Sequence, residues 1–141
     1  MTSARRPPMS HDSRHRATRG HGLLEAFLAR KRRDMAHTLL RSCGQIERML
    51  DIGCGAYPLL LESVHAAERV GIDQDVAADV ANECARDGIR LIVHDITRDD
   101  ALPLESDYFD TVTMLAVVEH LPADSATAVT REVFRVLRPG G

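Results

Sequence analysis

The chain has 141 residues, 44% of them hydrophobic and 28% charged, which suits one globular domain with its own core. No apolar run approaches the roughly 18 residues needed to span a bilayer, and no apolar stretch of the secretion-signal kind follows the basic start, so neither membrane insertion nor secretion is expected and the expected location is the cytoplasm. The net charge of −3 is unevenly divided: residues 1–48 sum to +7 and residues 49–141 to −10, a basic front on an acidic body.

Residues 1–22 carry Pro7-Pro8, scattered Arg and His and almost nothing apolar. Such a segment cannot offset the entropy of ordering, and a flexible basic arm is expected. It has no interleaved aromatics and no basic domain behind it, so a nucleic-acid partner is not expected. From residue 23 to 41, Leu24, Phe27, Leu28, Met35 and Leu39 fall near helical spacing, with Arg30, Arg33 and His37 on the other side. This predicts an amphipathic helix laid on the main body by its large apolar residues. The Arg30-Lys31-Arg32-Arg33 run reads as a solvated face of that helix, one that permits an anionic acceptor without indicating one.

The texture changes after Gly44. Ile46–Ile52 reads as a first strand, and Pro58–Ala67 as a helix after a glycine-bearing turn, Gly53-Cys54-Gly55. Arg69–Asp73 reads as a second strand. Val76, Val80, Ala81 and Cys84 give the next helix one apolar face, and Gly88 sits where a left-handed C-cap belongs. Arg90–Asp95 is a third strand, apolar without alternation, as expected when helices cover both faces of a parallel sheet. Thr97–Tyr108 reads as mostly loop and Phe109–Leu115 as a fourth strand. A last helix follows Pro122, with Ala126, Val129, Val133 and Val136 on one stripe and Pro139-Gly140-Gly141 as its stop. The order predicts an α/β fold, an open parallel sheet with helices on both faces, over residues 46–141.

Three acids stand out at the predicted strand ends. Asp51, Asp73 and Asp95 lie 22 residues apart, and right-handed crossovers bring strand ends to one edge of a sheet, so all three are expected to border one crevice. The glycine turn lets backbone approach a ligand, and the following helix start is expected to offer N–H groups to its anionic part. An acid after a second strand can accept hydrogen bonds from both hydroxyls of a ribose. A dinucleotide site wants a third glycine three residues after Gly55, and that position is Pro58, which disfavours an oxidoreductase domain that binds NAD or FAD.

Asp51-Ile52-Gly53-Cys54-Gly55, Val70-Gly71-Ile72-Asp73 and His94-Asp95-Ile96 together resemble the cofactor motifs of class I S-adenosylmethionine-dependent methyltransferases. Leu102-Pro103-Leu104, Tyr108-Phe109-Asp110, Val118-Glu119-His120-Leu121 and Arg135–Gly141 are similar to later landmarks of the small-molecule-type methyltransferase core. The resemblance covers about residues 23–141 and implies a Rossmann-like fold and S-adenosyl-L-methionine as cofactor. It implies that Gly53, Cys54 and Gly55 face the methionine part, with Asp51 near its amino group and Asp73 on the ribose. Asp95 and Ile96 would flank the adenine, and Leu115 and Ala116 would line the methyl end. Methyl transfer from a sulfonium depends chiefly on alignment, and His120, then Glu119, is the candidate general base for an unidentified small-molecule acceptor. The family usually has a glycine at the position of Tyr57, so an altered loop is expected, with Pro58 opening the helix.

The family also continues past the position of Gly141 into further strands. A partial methyltransferase domain is therefore expected over residues 23–141, its C-terminal strands missing and strand four left as an open edge. A non-catalytic half-domain that binds cofactor stays as an alternative. Cys43, Cys54 and Cys84 show no paired spacing, and the seven histidines no ligand spacing, so neither disulfide nor metal is expected.

Overall fold

A computed structural model of the chain describes residues 23–98 and 101–141. The basic arm expected over 1–22 lies outside the described residues, as do Asp99, Asp100 and the side chain of Leu24. Helix α1 (Leu23–Leu40) leads through a 3-10 turn (Arg41–Cys43) into β1 (Arg48–Ile52), α2 (Leu59–Ser63), β2 (Glu68–Asp73), α3 (Ala78–Arg86) and β3 (Ile89–Val93). Then come β4 (Thr111–Thr113), a 3-10 turn (Val118–His120) and α4 (Ala123–Val136). The four strands are all parallel, in the order β3-β2-β1-β4. This is the expected Rossmann-like open sheet.

Strand period decides which way each residue of β1 points. Met49 packs with Ala36, Leu40, Leu60, Leu61 and Cys84 on the side of α1, α2 and α3. Leu50 and Ile52 pack with Val70, Ile72, Phe109 and Val136 on the side of α4. Asp51 is therefore on the α1–α3 side. Gly71 in β2 faces the same way, and a Cβ there would stand 2.7 Å from Leu91 Cδ2 and 2.8 Å from Cys54 Sγ. Its missing side chain lets the glycine turn lie down on the sheet.

Three strands are shorter than expected, each because side chains or neighbouring backbone take its terminal bonds. The Glu47 and Arg48 N–H groups both donate to Asp110 Oδ2 at 2.9 Å, so β1 begins at Arg48 and not at Ile46. Asp95 accepts from the Thr97 N–H at 2.9 Å and its hydroxyl at 2.6 Å, folding the chain into a turn beyond Val93. Phe109 bridges to Leu137 after α4, and this removes it from β4. Beyond Thr113 the chain turns sharply at Ala116, which has a left-handed φ of +54°. Helix α2 also ends early, at Ser63: its hydroxyl returns to the Leu60 carbonyl at 2.8 Å, and Val64 is extended. Pro58 is its N-cap and not its first residue.

The orientation of α1 is the reverse of the one expected. Ala29, Ala36 and Leu40 are buried, whereas Phe27 is 54% exposed, Leu28 38%, and Met35 and Leu39 68% each. Two of these three inward residues are alanines, which permit α1 to lie close against α2. On α4 the expected stripe holds, with Val129 and Val136 buried. Arg135 donates to the Leu102, Leu104 and Ser106 oxygens at 2.9–3.1 Å, while Glu132 accepts from the Leu102 N–H at 2.8 Å. Together they hold the 101–106 segment against α4.

Candidate functional site

The site lies at the C-terminal edge of the sheet, where open parallel sheets bind ligands. A cavity of about 630 Å³ is lined by Asp51, Gly53, Cys54, Gly55 and Tyr57 from β1 and its turn, with Ala29, Arg32 and Arg33 of α1 as one wall. Leu115, Ala116, Val117, Glu119 and His120 form another wall. A smaller cavity of about 180 Å³ is lined by Asp73, His94, Asp95, Ile96 and Thr97. The two adjoin, sharing Gly53, Val117 and His120. Every candidate residue read from the sequence lines one or both.

The three acids differ in setting despite their equal spacing. In register, Asp51 stands opposite Gly71, and Asp73 is two residues further along, opposite Val93. Asp51 and Asp73 are 4% and 5% exposed. Asp73 accepts from the Gly55 N–H on Oδ2 at 2.8 Å and from the Asp75 N–H on Oδ1 at 3.1 Å, so it braces the glycine turn. Each carboxylate oxygen has further lone pairs, and these can take hydroxyl donors from the smaller cavity. Asp51 accepts from Thr113 Oγ1 at 2.7 Å. Burial, with the charge of Asp73 behind it, overrides that bond and pushes the Asp51 carboxyl up to about 7. Asp95 is held below the usual carboxylate range, first by the Thr97 side chain and then by its N–H.

The glycine turn is built for contact. Gly53 has φ +72° and Gly55 φ +81°, and the Gly53 and Cys54 N–H groups donate to the Ile72 carbonyl at 2.7 and 3.1 Å. A Cβ on Gly53 would stand 2.3 Å from Val117 Cγ2. Val117 is the residue that sequence reading missed: a buried valine past a short strand carries no local signal of closing over a glycine 64 positions away. The Cys54 thiol is pushed up by burial, then by the nearby charges of Asp51 and Asp73, which makes it a poor nucleophile.

The helix start offers fewer N–H groups than a usual first turn: Pro58 has none, the Leu59 N–H is spent on the Tyr57 carbonyl at 3.0 Å, and α2 has only 5 residues. Tyr57, in the place of a usual glycine, is buried with its hydroxyl 3.2 Å from Glu62 Oε1. A pyrophosphate therefore finds fewer donors here than at a full helix start. A ligand with a cationic end finds two buried carboxyl groups instead, and this donor set fits S-adenosylmethionine, whose sulfonium and ammonium are positive and whose ribose carries hydroxyl donors. Glu119 and His120 are exposed on their 3-10 turn, and His120 reaches both cavities. Among the described residues no group of His, Cys, Asp or Glu is arranged to hold a metal.

An open α/β sheet with paired strand-end acids around a glycine turn defines the class I methyltransferase architecture. The profile of the methyltransferase domain family matches residues 50–141, and the chain belongs to that family. It is 38% identical over 98 residues to a ubiquinone biosynthesis O-methyltransferase of Alkalilimnicola ehrlichii, covering 67% of this chain and 38% of that protein. A protein of the same name from Pseudomonas fluorescens is 31% identical over 99 residues, covering 67% of this chain and 41% of its own length. The chain thus spans about two fifths of the curated relatives that it matches. Among solved structures, the PH0226 protein of Pyrococcus horikoshii aligns with a TM-score of 0.61 at 27% identity, covering 80% of this chain and 55% of that one. YcgJ of Bacillus subtilis aligns at 0.57 and 29%, covering 74% and 46%.

Proposed function

We propose that the protein is an S-adenosylmethionine-dependent methyltransferase domain over residues 23–141, acting on an oxygen of a small-molecule acceptor. The observation that carries this reading is Asp51, a buried carboxyl beside a second buried acid in a cavity large enough for more than one ligand group. Two buried acids side by side favour a ligand group that is positively charged. Asp51 is assigned to the cofactor's amino group, Gly53, Cys54 and Gly55 to its methionine part, Asp73 to the ribose, and Asp95 with Ile96 to the adenine in the smaller cavity. Leu115 and Ala116 line the transfer end.

When bound, S-adenosylmethionine supplies a methyl group on a sulfonium that needs no further activation. His120 receives the acceptor's hydroxyl proton on its imidazole, with Glu119 beside it as the second candidate. The oxygen acceptor is drawn from the curated relatives, which are named O-methyltransferases. We read the protein as cytoplasmic; among the described residues no helix is long and apolar enough to cross a membrane.

Calorimetric titration with S-adenosylhomocysteine tests the cofactor assignment. Wild type is expected to bind, Asp73→Asn to bind at least tenfold more weakly, and His120→Gln to bind like wild type. Equal binding by wild type and Asp73→Asn, or none by either, overturns the reading. Release of S-adenosylhomocysteine from S-adenosylmethionine in the presence of a panel of phenols, lost in His120→Gln, tests turnover. Binding without release with any phenol supports the non-catalytic alternative.

A further inference from the structure

One surface is left unused by the site: the outward face of α1. Phe27, Leu28, Met35 and Leu39 form an exposed apolar strip at helical spacing, each at least 38% exposed. Several large apolar side chains contiguous on one surface helix mark an interaction surface, unlike scattered single ones. Lys31 sits in the middle of the strip, with Nζ 5.7 Å from the Phe27 ring centroid, and exposed Arg30 and Arg41 flank it. Asp34, the exposed acid on this side, is tied to Arg33 at 2.7 Å.

We propose that this face docks on an anionic phospholipid surface, with Phe27, Leu28, Met35 and Leu39 entering the headgroup layer and Arg30, Lys31 and Arg41 meeting lipid phosphates. Apolar insertion combined with cations at the same depth is the pattern of helices that lie in a membrane interface. Charge selects this occupant over a second copy of the chain: pairing two such strips would bring two Lys31 ammonium groups into one apolar contact. The residues preceding the helix in sequence add to the attraction, with five arginines against one aspartate over 1–22. Ala29 and Arg33 on the opposite face of α1, with Arg32 at the edge of the strip, wall the larger cavity. Docking therefore brings that cavity to within about one helix diameter, ~10 Å, of the lipid surface.

Flotation of the chain with vesicles of phosphatidylcholine alone, and of phosphatidylcholine mixed with phosphatidylglycerol, tests this. Co-flotation is expected with the anionic vesicles and not with the neutral ones, weakening as salt rises. The triple variant Phe27→Ser, Met35→Ser, Leu39→Ser is expected to stay with the aqueous phase, and Arg30→Gln and Lys31→Gln each to weaken partitioning about fivefold. All five positions are exposed and outside the cavities, so an unchanged circular dichroism spectrum and unchanged S-adenosylhomocysteine binding separate lost docking from lost folding. The chain has no tryptophan, so Met35→Trp provides a single emitter, expected to shift to the blue with anionic vesicles. Absence of flotation, equal flotation of the triple variant, or an unshifted Met35→Trp spectrum overturns the proposal. So does a wild-type dimer that the triple variant converts to monomer without any lipid binding.

Discussion

Replacing Asp51 by Asn separates what this carboxyl does for the fold from what it does for a ligand. The carboxyl ionises near pH 7 in the folded chain and near 3.8 when unfolded, so its charged form costs the folded state about 4 kcal/mol. Between about pH 4 and pH 7 the folded chain holds a proton that the unfolded chain has released. The contribution of this group to stability therefore falls as pH rises through that window. Asn keeps an acceptor for the Thr113 hydroxyl, now 2.7 Å from Asp51 Oδ1, and has no charge to bury. Asp51→Asn is thus expected to match wild type near pH 4 and to exceed it by up to about 4 kcal/mol at pH 8, a rise in melting temperature on the order of 10 °C. The same change is expected to weaken S-adenosylhomocysteine binding at pH 8 by roughly 10- to 100-fold, because the ammonium loses its counter-charge. Urea unfolding of both proteins at steps from pH 4.5 to 8 gives the difference directly. A difference that does not change with pH would refute the burial argument, and a variant that is less stable at pH 8 would reverse its sign.

Three further substitutions follow from geometry. Gly53→Ala is expected to cost about 3 kcal/mol, since its Cβ meets Val117 Cγ2 and its φ is left-handed; adding Val117→Ala should recover part of this in a double-mutant cycle of urea midpoints. Asp110→Ala leaves the Glu47 and Arg48 N–H groups without their acceptor, an expected loss of about 2–3 kcal/mol with unchanged S-adenosylhomocysteine affinity, because these bonds lie at the far end of β1 from the cavities. Arg135→Leu removes the donors to the 101–106 segment, and faster amide exchange at Leu102 and Leu104 with little change in α4 is the expected signature.

The apolar strands, the glycine turn and the acids at strand ends were legible along the chain because they are local. A buried parallel strand must be apolar on both faces, a turn with positive φ favours glycine, and Gly88 after α3 does have φ +73°. The residues picked out as candidates from the chain all line the two cavities, down to His120 and Ala116. Contacts between distant segments had no such signal. Only the fold shows that Val117 closes on Gly53, that Asp110 ends the ladder at Arg48, and that the Tyr57 carbonyl takes the Leu59 N–H at the helix start. The equal spacing of Asp51, Asp73 and Asp95 pointed to one edge, yet register buried the first two and left the third in an open turn. On α1 the helical period was clear from sequence, but which face turns inward depends on how closely α2 approaches. There Ala29, Ala36 and Leu40 turned inward, and Phe27, Leu28, Met35 and Leu39 were left outside. Sequence thus determined the elements and the chemistry gathered at one edge of the sheet; tertiary packing decided which carboxyl is held near neutrality and which helix face is exposed, because burial and register depend on partners far away in the chain.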